Sequence, residues 1–208
     1  MEFENSFFEA CMNGNSDRVI HEIEDNHFYI NSRDEDKRTG LHWAASSNNN
    51  ELVSYLISQK GIEIDALDEM GWSPLFCAIS CGKYENAVTL IEAGANPNIV
   101  DENNKCLLHY IKGNYKLAEL LCDNMKNINI KGDYGITPLM RACSYGNLKT
   151  IQLLVDKGAS IDDCDEMGNT PLHYAAMDQQ TEIYDYLVSK GADETIQNSE
   201  KYTPKQML

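Results

Sequence analysis

Positive charge is what this chain has least of relative to its opposite: 17 Lys and Arg stand against 33 Asp and Glu, a net charge of −16. Binding to phosphate backbones needs clustered cations that displace counter-ions, so nucleic acid is a poor partner, and anionic membranes fail for the same reason of sign. No stretch approaches the roughly 18 apolar residues that cross a bilayer. The opening Met1-Glu2-Phe3-Glu4 does not have the basic-then-apolar order of a signal peptide. The seven cysteines (Cys11, Cys77, Cys81, Cys106, Cys122, Cys143, Cys164) are odd in number and scattered, which fits free thiols in a reducing compartment rather than a disulfide framework. Cys77 and Cys81 lie four apart, but no nearby Cys or His pair completes a four-ligand set, so zinc is not expected. Neither a glycine-rich phosphate loop nor a Cys-His-Asn set occurs. The chain is therefore expected to be a non-enzyme without cofactor, metal or catalytic residue.

What the chain does have is a recurring heptapeptide. Its fullest copy is Thr170-Pro171-Leu172-His173-Tyr174-Ala175-Ala176. Thr170 suits a helix N-cap, where its side chain accepts a backbone N–H. Pro171 suits the first helical position, where its missing donor costs nothing. The alanines leave room for a neighbouring helix, and His173 is placed to hydrogen-bond within and beyond the turn. Variants begin at Thr39, Ser73, Cys106 and Thr137, and a stub begins at Thr203, giving spacings of 34, 33, 31, 33 and 33 residues. A period of about 33 residues with this core resembles the ankyrin repeat. It implies an all-α solenoid of helix pairs, about six full repeats plus a partial last one. The expected organisation is a single domain over 1–208, with repeats 1–36, 37–70, 71–103, 104–134, 135–167, 168–200 and a remnant at 201–208.

Along the chain, Phe7, Phe8, Ala10 and Cys11 predict a first helix, Gly14-Asn15 a turn, and Val19, Ile20 and Ile23 a second helix. Gly61 is expected to end the helix that carries Leu52, Val53 and Leu56. The fourth repeat lacks the proline and is two residues short, which predicts a shortened first helix. The last turn, near Thr203–Leu208, is expected to fray. His42, His109 and His173 share one slot and are read as structural.

Binding residues are sought where the repeat does not dictate the residue. Before each heptapeptide lies a loop tip rich in acid: Asp34-Glu35-Asp36-Lys37-Arg38, Asp68-Glu69-Met70-Gly71-Trp72, then tips beginning at Asp101, Gly132 and Asp165. Residue five of each heptapeptide and the two after its apolar pair are expected to face the groove, adding Trp43, Ser46, Ser47, Cys77, Tyr110, Arg141, Tyr145, Tyr174 and Met177. Tryptophan, tyrosine and arginine are common anchors at interfaces, and carboxylates beside them favour a partner with a basic face. The expected protein-binding set is Asp34, Glu35, Asp36, Arg38, Trp43, Asp68, Glu69, Trp72, Tyr110, Lys112, Arg141, Tyr145 and Tyr174.

Beyond the repeat consensus, Arg38-Thr39-Gly40-Leu41-His42-Trp43-Ala44-Ala45, Gly71-Trp72-Ser73-Pro74-Leu75 and Gly168-Asn169-Thr170-Pro171-Leu172-His173 resemble the gankyrin family of proteasome assembly chaperones. The resemblance implies a monomer, cytoplasmic and also nuclear, whose concave face holds the C-terminal domain of one proteasome regulatory-particle ATPase subunit. It assigns Asp36 and Arg38 to an acidic-basic fingertip, Trp43 and Trp72 to groove aromatics, and Lys112 to a basic residue of the fourth repeat. The family's Leu-x-Cys-x-Glu segment is replaced here by Tyr174-Ala175-Ala176-Met177-Asp178, so a retinoblastoma-type partner is not implied.

Overall fold

The computed structural model describes residues 2–25 and 27–208, with side chains from Phe7 onward. Its helices come in short antiparallel pairs. They are α1 (Glu2–Met12) with α2 (Ser16–Glu24), α3 (Gly40–Ser46) with α4 (Asn50–Ser58), and α5 (Pro74–Ser80) with α6 (Tyr84–Glu92). After them come a 3-10 turn (Leu107–Tyr110) with α7 (Tyr115–Asn124), α8 (Pro138–Tyr145) with α9 (Leu148–Asp156), and α10 (Pro171–Met177) with α11 (Thr181–Ser189). One further turn, α12 (Pro204–Met207), ends the sequence of elements. Among the described residues there is no strand, only an isolated antiparallel bridge between Arg33 and Thr39. None of these helices is long and apolar enough to cross a membrane. The chain forms two compact units, one ending at Glu102 and one running from Asn103 to Leu208.

Each first helix begins where the heptapeptide predicts. The side chains of Ser73, Thr137 and Thr170 accept from the N–H groups of Phe76, Met140 and His173, and proline follows each of them at the first helical position. Four of the second helices, α2, α4, α7 and α9, use a different device. Asn15, Asn49, Asn114 and Asn147 accept from the N–H three residues on. Asn49 also donates to the Gly14 carbonyl at 2.8 Å, and Asn147 to the Gly113 carbonyl at 3.3 Å. One amide thus caps its own helix and ties it to the preceding repeat. Gly14 has φ +67, and a Cβ there would lie 2.9 Å from the Asn49 Cβ, so glycine is needed for both backbone and space.

In the first unit α3 packs between α1 and α5. Leu41, Ala44 and Ala45 are fully buried there, as are Phe7 of α1 and Leu75 and Phe76 of α5. A buried leucine of this kind contributes about 1.5–3 kcal/mol, and the alanines allow the close approach. The shared histidine slot closes the frame. His42 Nδ1 accepts from the Thr39 N–H at 3.0 Å, while its Nε2 lies 3.0 Å from the Trp72 carbonyl, to which it donates. His109 repeats this with Cys106 and Ile136, and His173 with Thr170 and Tyr202. Burial lowers all three imidazole pKa values, offset in part by the carbonyl each ring meets. They are neutral structural links from one repeat to the next, as expected.

The fourth repeat's first helix shrinks to the 3-10 turn at Leu107–Tyr110, in keeping with its two missing residues. Gly61 does not end α4: the helix stops at Ser58, Gln59 is already extended, and Gly61 turns the chain two residues later with φ +83. At the last turn, expected to fray, α12 instead packs on α10 with Pro204 buried.

Candidate protein-binding surface

Four loop tips owe their shape to one residue each. Asp34, Asp68, Asp165 and Asn198 all stand five residues before the Thr or Ser that caps the next helix. Asp34 Oδ1 accepts from the N–H groups of Asp36 (3.1 Å) and Arg38 (2.8 Å). Asp68 Oδ1 accepts from Met70 and Trp72, both at 2.9 Å. Asp165 Oδ1 does the same with Met167 and Asn169, and Asn198 Oδ1 with Glu200 and Tyr202. Carboxylates that accept two backbone N–H groups hold a turn. Adjacent tips are then laced by main-chain bonds, Glu69 N–H to the Asp36 carbonyl at 3.0 Å and Glu166 N–H to the Tyr134 carbonyl at 2.9 Å.

This corrects part of the sequence-predicted set. Asp68 is 7% exposed, and its second oxygen accepts from Arg38 Nε at 3.0 Å. It is an internal strut between adjacent loop tips and has no free face for a partner. Asp34 is half-buried, and its Oδ2 accepts from Trp43 Nε1 at 2.7 Å. Arg38 is spoken for on one edge by Asp68 and lies over the Trp43 ring, 4.9 Å from its centroid. Tyr174 copies Trp43, donating its hydroxyl to Asp165 Oδ2 at 2.8 Å. The pair 34–43 and the pair 165–174 both span nine residues, a spacing that identifies the bond from sequence once the turn role of the acid is known. Burial, and then the Asp165 carboxylate, push the Tyr174 hydroxyl pKa upward.

The residues left at the surface are different ones. In the first unit Glu35, Asp36 and Glu69 are exposed, and among the described residues Glu69 forms one ion pair, with Lys37 at 3.7 Å. Trp43 and Trp72 are half-buried, the latter stacked on Phe76 with ring centroids 5.6 Å apart. In the second unit Lys112 and Tyr145 are exposed, while Tyr110, Arg141 and Tyr174 are half-buried. Missing from the prediction are the apolar third residues of the tips. Met70 is 50% exposed in the first unit, and Tyr134 (69%) and Met167 (53%) are exposed in the second. The signal was available, because each stands two residues after the turn-forming position. A second omission is a pocket of about 390 Å³ lined by Phe8, Glu9, Met12, Asp34 and Trp43.

Charge divides unevenly between the units. Up to Glu102 there are 6 Lys and Arg against 19 Asp and Glu, a net of −13; from Asn103 on there are 11 against 14, a net of −3. Among the described residues no three His, Cys, Asp or Glu side chains form a group able to hold a metal. Cys11, Cys77 and Cys143 are buried, and burial raises their thiol pKa values, that of Cys77 to about 12.

Comparison with known proteins agrees with this construction. A family profile described as "Ankyrin repeats (3 copies)" matches residues 7–101 and again 103–198. An ankyrin repeat-containing protein of Schizosaccharomyces pombe is 33% identical over 109 residues, 50% of this chain and 47% of that protein. A probable 26S proteasome regulatory subunit, p28, of Saccharomyces cerevisiae is 30% identical over 144 residues, 66% of this chain and 63% of that one. The chain thus spans about half to two thirds of the length of these relatives. The crystal structure of the human ASB11 ankyrin repeat domain superposes with a TM-score of 0.87, covering 97% of this chain and 90% of that one at 24% identity, which speaks to fold alone. With the profile matched twice over nearly its whole length, this chain belongs to the ankyrin-repeat family.

Proposed function

We propose that this protein is a non-enzymatic binding module of the proteasome, holding the C-terminal domain of one regulatory-particle ATPase through its loop tips and first-helix faces, in the cytosol and nucleus. The observation that carries the reading is the free surface of the first unit. Glu35, Asp36 and Glu69 present carboxylates beside exposed Met70, with Trp43 and Trp72 half-buried alongside. None of these exposed side chains holds a turn, unlike Asp34 and Asp68, so their conformation is free to serve a partner. A unit of net charge −13 draws in a basic domain and orients it before contact, an effect that falls with salt. Similarity to the yeast proteasome subunit p28 supports the choice of partner.

The test is titration calorimetry of the full chain against the purified C-terminal domain of each proteasomal ATPase. One domain is expected to bind, and Asp36→Lys with Glu69→Lys should weaken it by more than either alone. Trp72→Ala should lower affinity by about 2 kcal/mol if it acts as an anchor. Arg38 and Asp68 are unsuitable sites for this test, since each is bonded to the other between adjacent loop tips. Failure of every ATPase domain to bind removes the proteasomal assignment and leaves a generic ankyrin-repeat adaptor for another partner such as a kinase or ubiquitin ligase.

A further inference from the structure

The pocket at the start of the first unit has a chemistry that the tips do not share. Phe8, Glu9 and Met12 come from one face of α1, at i, i+1 and i+4, and Asp34 and Trp43 close it from the first loop and α3. Its volume of about 390 Å³ falls in the ~300–1,000 Å³ range of sites that hold small groups. Phe8 is nearly buried, whereas Met12 is 48% exposed and supplies a flexible thioether wall. Glu9 is exposed, and among the described residues no ion pair engages its carboxylate. Asp34 Oδ2 is bonded to one donor, the Trp43 indole at 2.7 Å, and a carboxylate oxygen accepts two.

We infer that this pocket takes an arginine side chain from a basic partner segment, its aliphatic stem against Phe8, Met12 and Trp43 and its guanidinium between Glu9 and Asp34. Charge complementarity selects the occupant. An apolar group would strip water from two carboxylates without giving them a donor, and an unpaired buried acceptor costs about 1–3 kcal/mol. Arginine matches on both counts, since its planar fork pairs with carboxylates and stacks on aromatic faces. The chain displays the same chemistry internally, where Arg38 lies 4.9 Å from the Trp43 ring centroid and donates to Asp68. The inference deepens the proposed function by giving the basic partner a single anchoring residue, and it rests on that reading only for the partner's identity.

The two tryptophans give two indole N–H signals, assignable with Trp72→Phe. Full-length protein is titrated with the peptide acetyl-Leu-Arg-Leu-amide, and in parallel with the neutral citrulline analogue, while ¹H–¹⁵N spectra are recorded. Saturable movement of the Trp43 indole signal with the arginine peptide alone is expected. Glu9→Gln should weaken binding roughly two- to fivefold, the size of one partly exposed ion pair, and Glu51→Gln, on the exposed face of α4, should not. Equal response to citrulline, no response, or indifference to Glu9→Gln overturns the pocket. An ATPase domain that binds wild type and Glu9→Gln equally also overturns it while sparing the proteasomal reading. Arginine binding without any ATPase binding does the reverse.

Discussion

Replacing Asp68 tests whether the acids of the tips are struts or contacts. Its carboxylate accepts from two backbone N–H groups at 2.9 Å and from Arg38 Nε at 3.0 Å. The Asp68 side chain is 1% exposed and that of Arg38 22%. Alanine deletes all three bonds and leaves a mostly covered guanidinium without its counter-charge, a situation that typically costs about 3–5 kcal/mol. Arg38 keeps some access to water, and the two N–H groups lie at a loop tip, so the lower end applies, about 3 kcal/mol. Asparagine is the informative control, because Asn198 already fills the equivalent slot and accepts from Glu200 and Tyr202 at 3.0 and 3.1 Å. Asp68→Asn should keep the turn and lose only the charge-assisted bond to Arg38, about 1–2 kcal/mol. Both tryptophans precede Asn103, so fluorescence excited selectively at tryptophan in a urea titration follows the first unit. Glu69→Ala should cost under about 1 kcal/mol in the same assay, as an exposed acid with a 3.7 Å partner contributes little. If Asp68→Ala is no worse than Asp68→Asn, or no worse than Glu69→Ala, the strut argument fails.

Two further expectations concern stability. The His42 imidazole pKa lies below its usual 6.5 in the folded chain because burial opposes its charge. The unfolded chain therefore binds more protons below that pH, and the native state loses ground as pH falls from about 6.5. His42→Gln removes the titration, so the Tm advantage of wild type over it should shrink between pH 7.5 and 5.5; a constant gap contradicts the assignment. Gly40→Ala should destabilise by about 1–3 kcal/mol through overpacking, although alanine is the better helix former. A Cβ at Gly40 would stand 2.6 Å from Phe7 Cε1 and 3.1 Å from Cys11 Sγ. A neutral or stabilising result in a urea titration would mean that α1 and α3 yield more readily than their packing implies.

Local rules made the helix pairs legible from sequence. A capping Thr or Ser, a following proline and a small-residue face each act within one turn, so their meaning travels with the heptapeptide, and the 33-residue period then required stacking. The shortened fourth repeat was readable for the same reason. The division of labour among the acids was not. Asp36 and Asp68 look alike in the sequence, yet one is exposed and the other is a strut, because the role of a carboxylate depends on which donors lie within about 3 Å of it. For Asp68 the deciding donor, Arg38, sits 30 residues away in the preceding loop tip. The pocket at α1 likewise needs Phe8 and Met12 brought to Asp34 and Trp43 across a turn and a whole helix. Chain order determined the scaffold, and only the packing of one repeat on the next decided which side chains remain available to a partner.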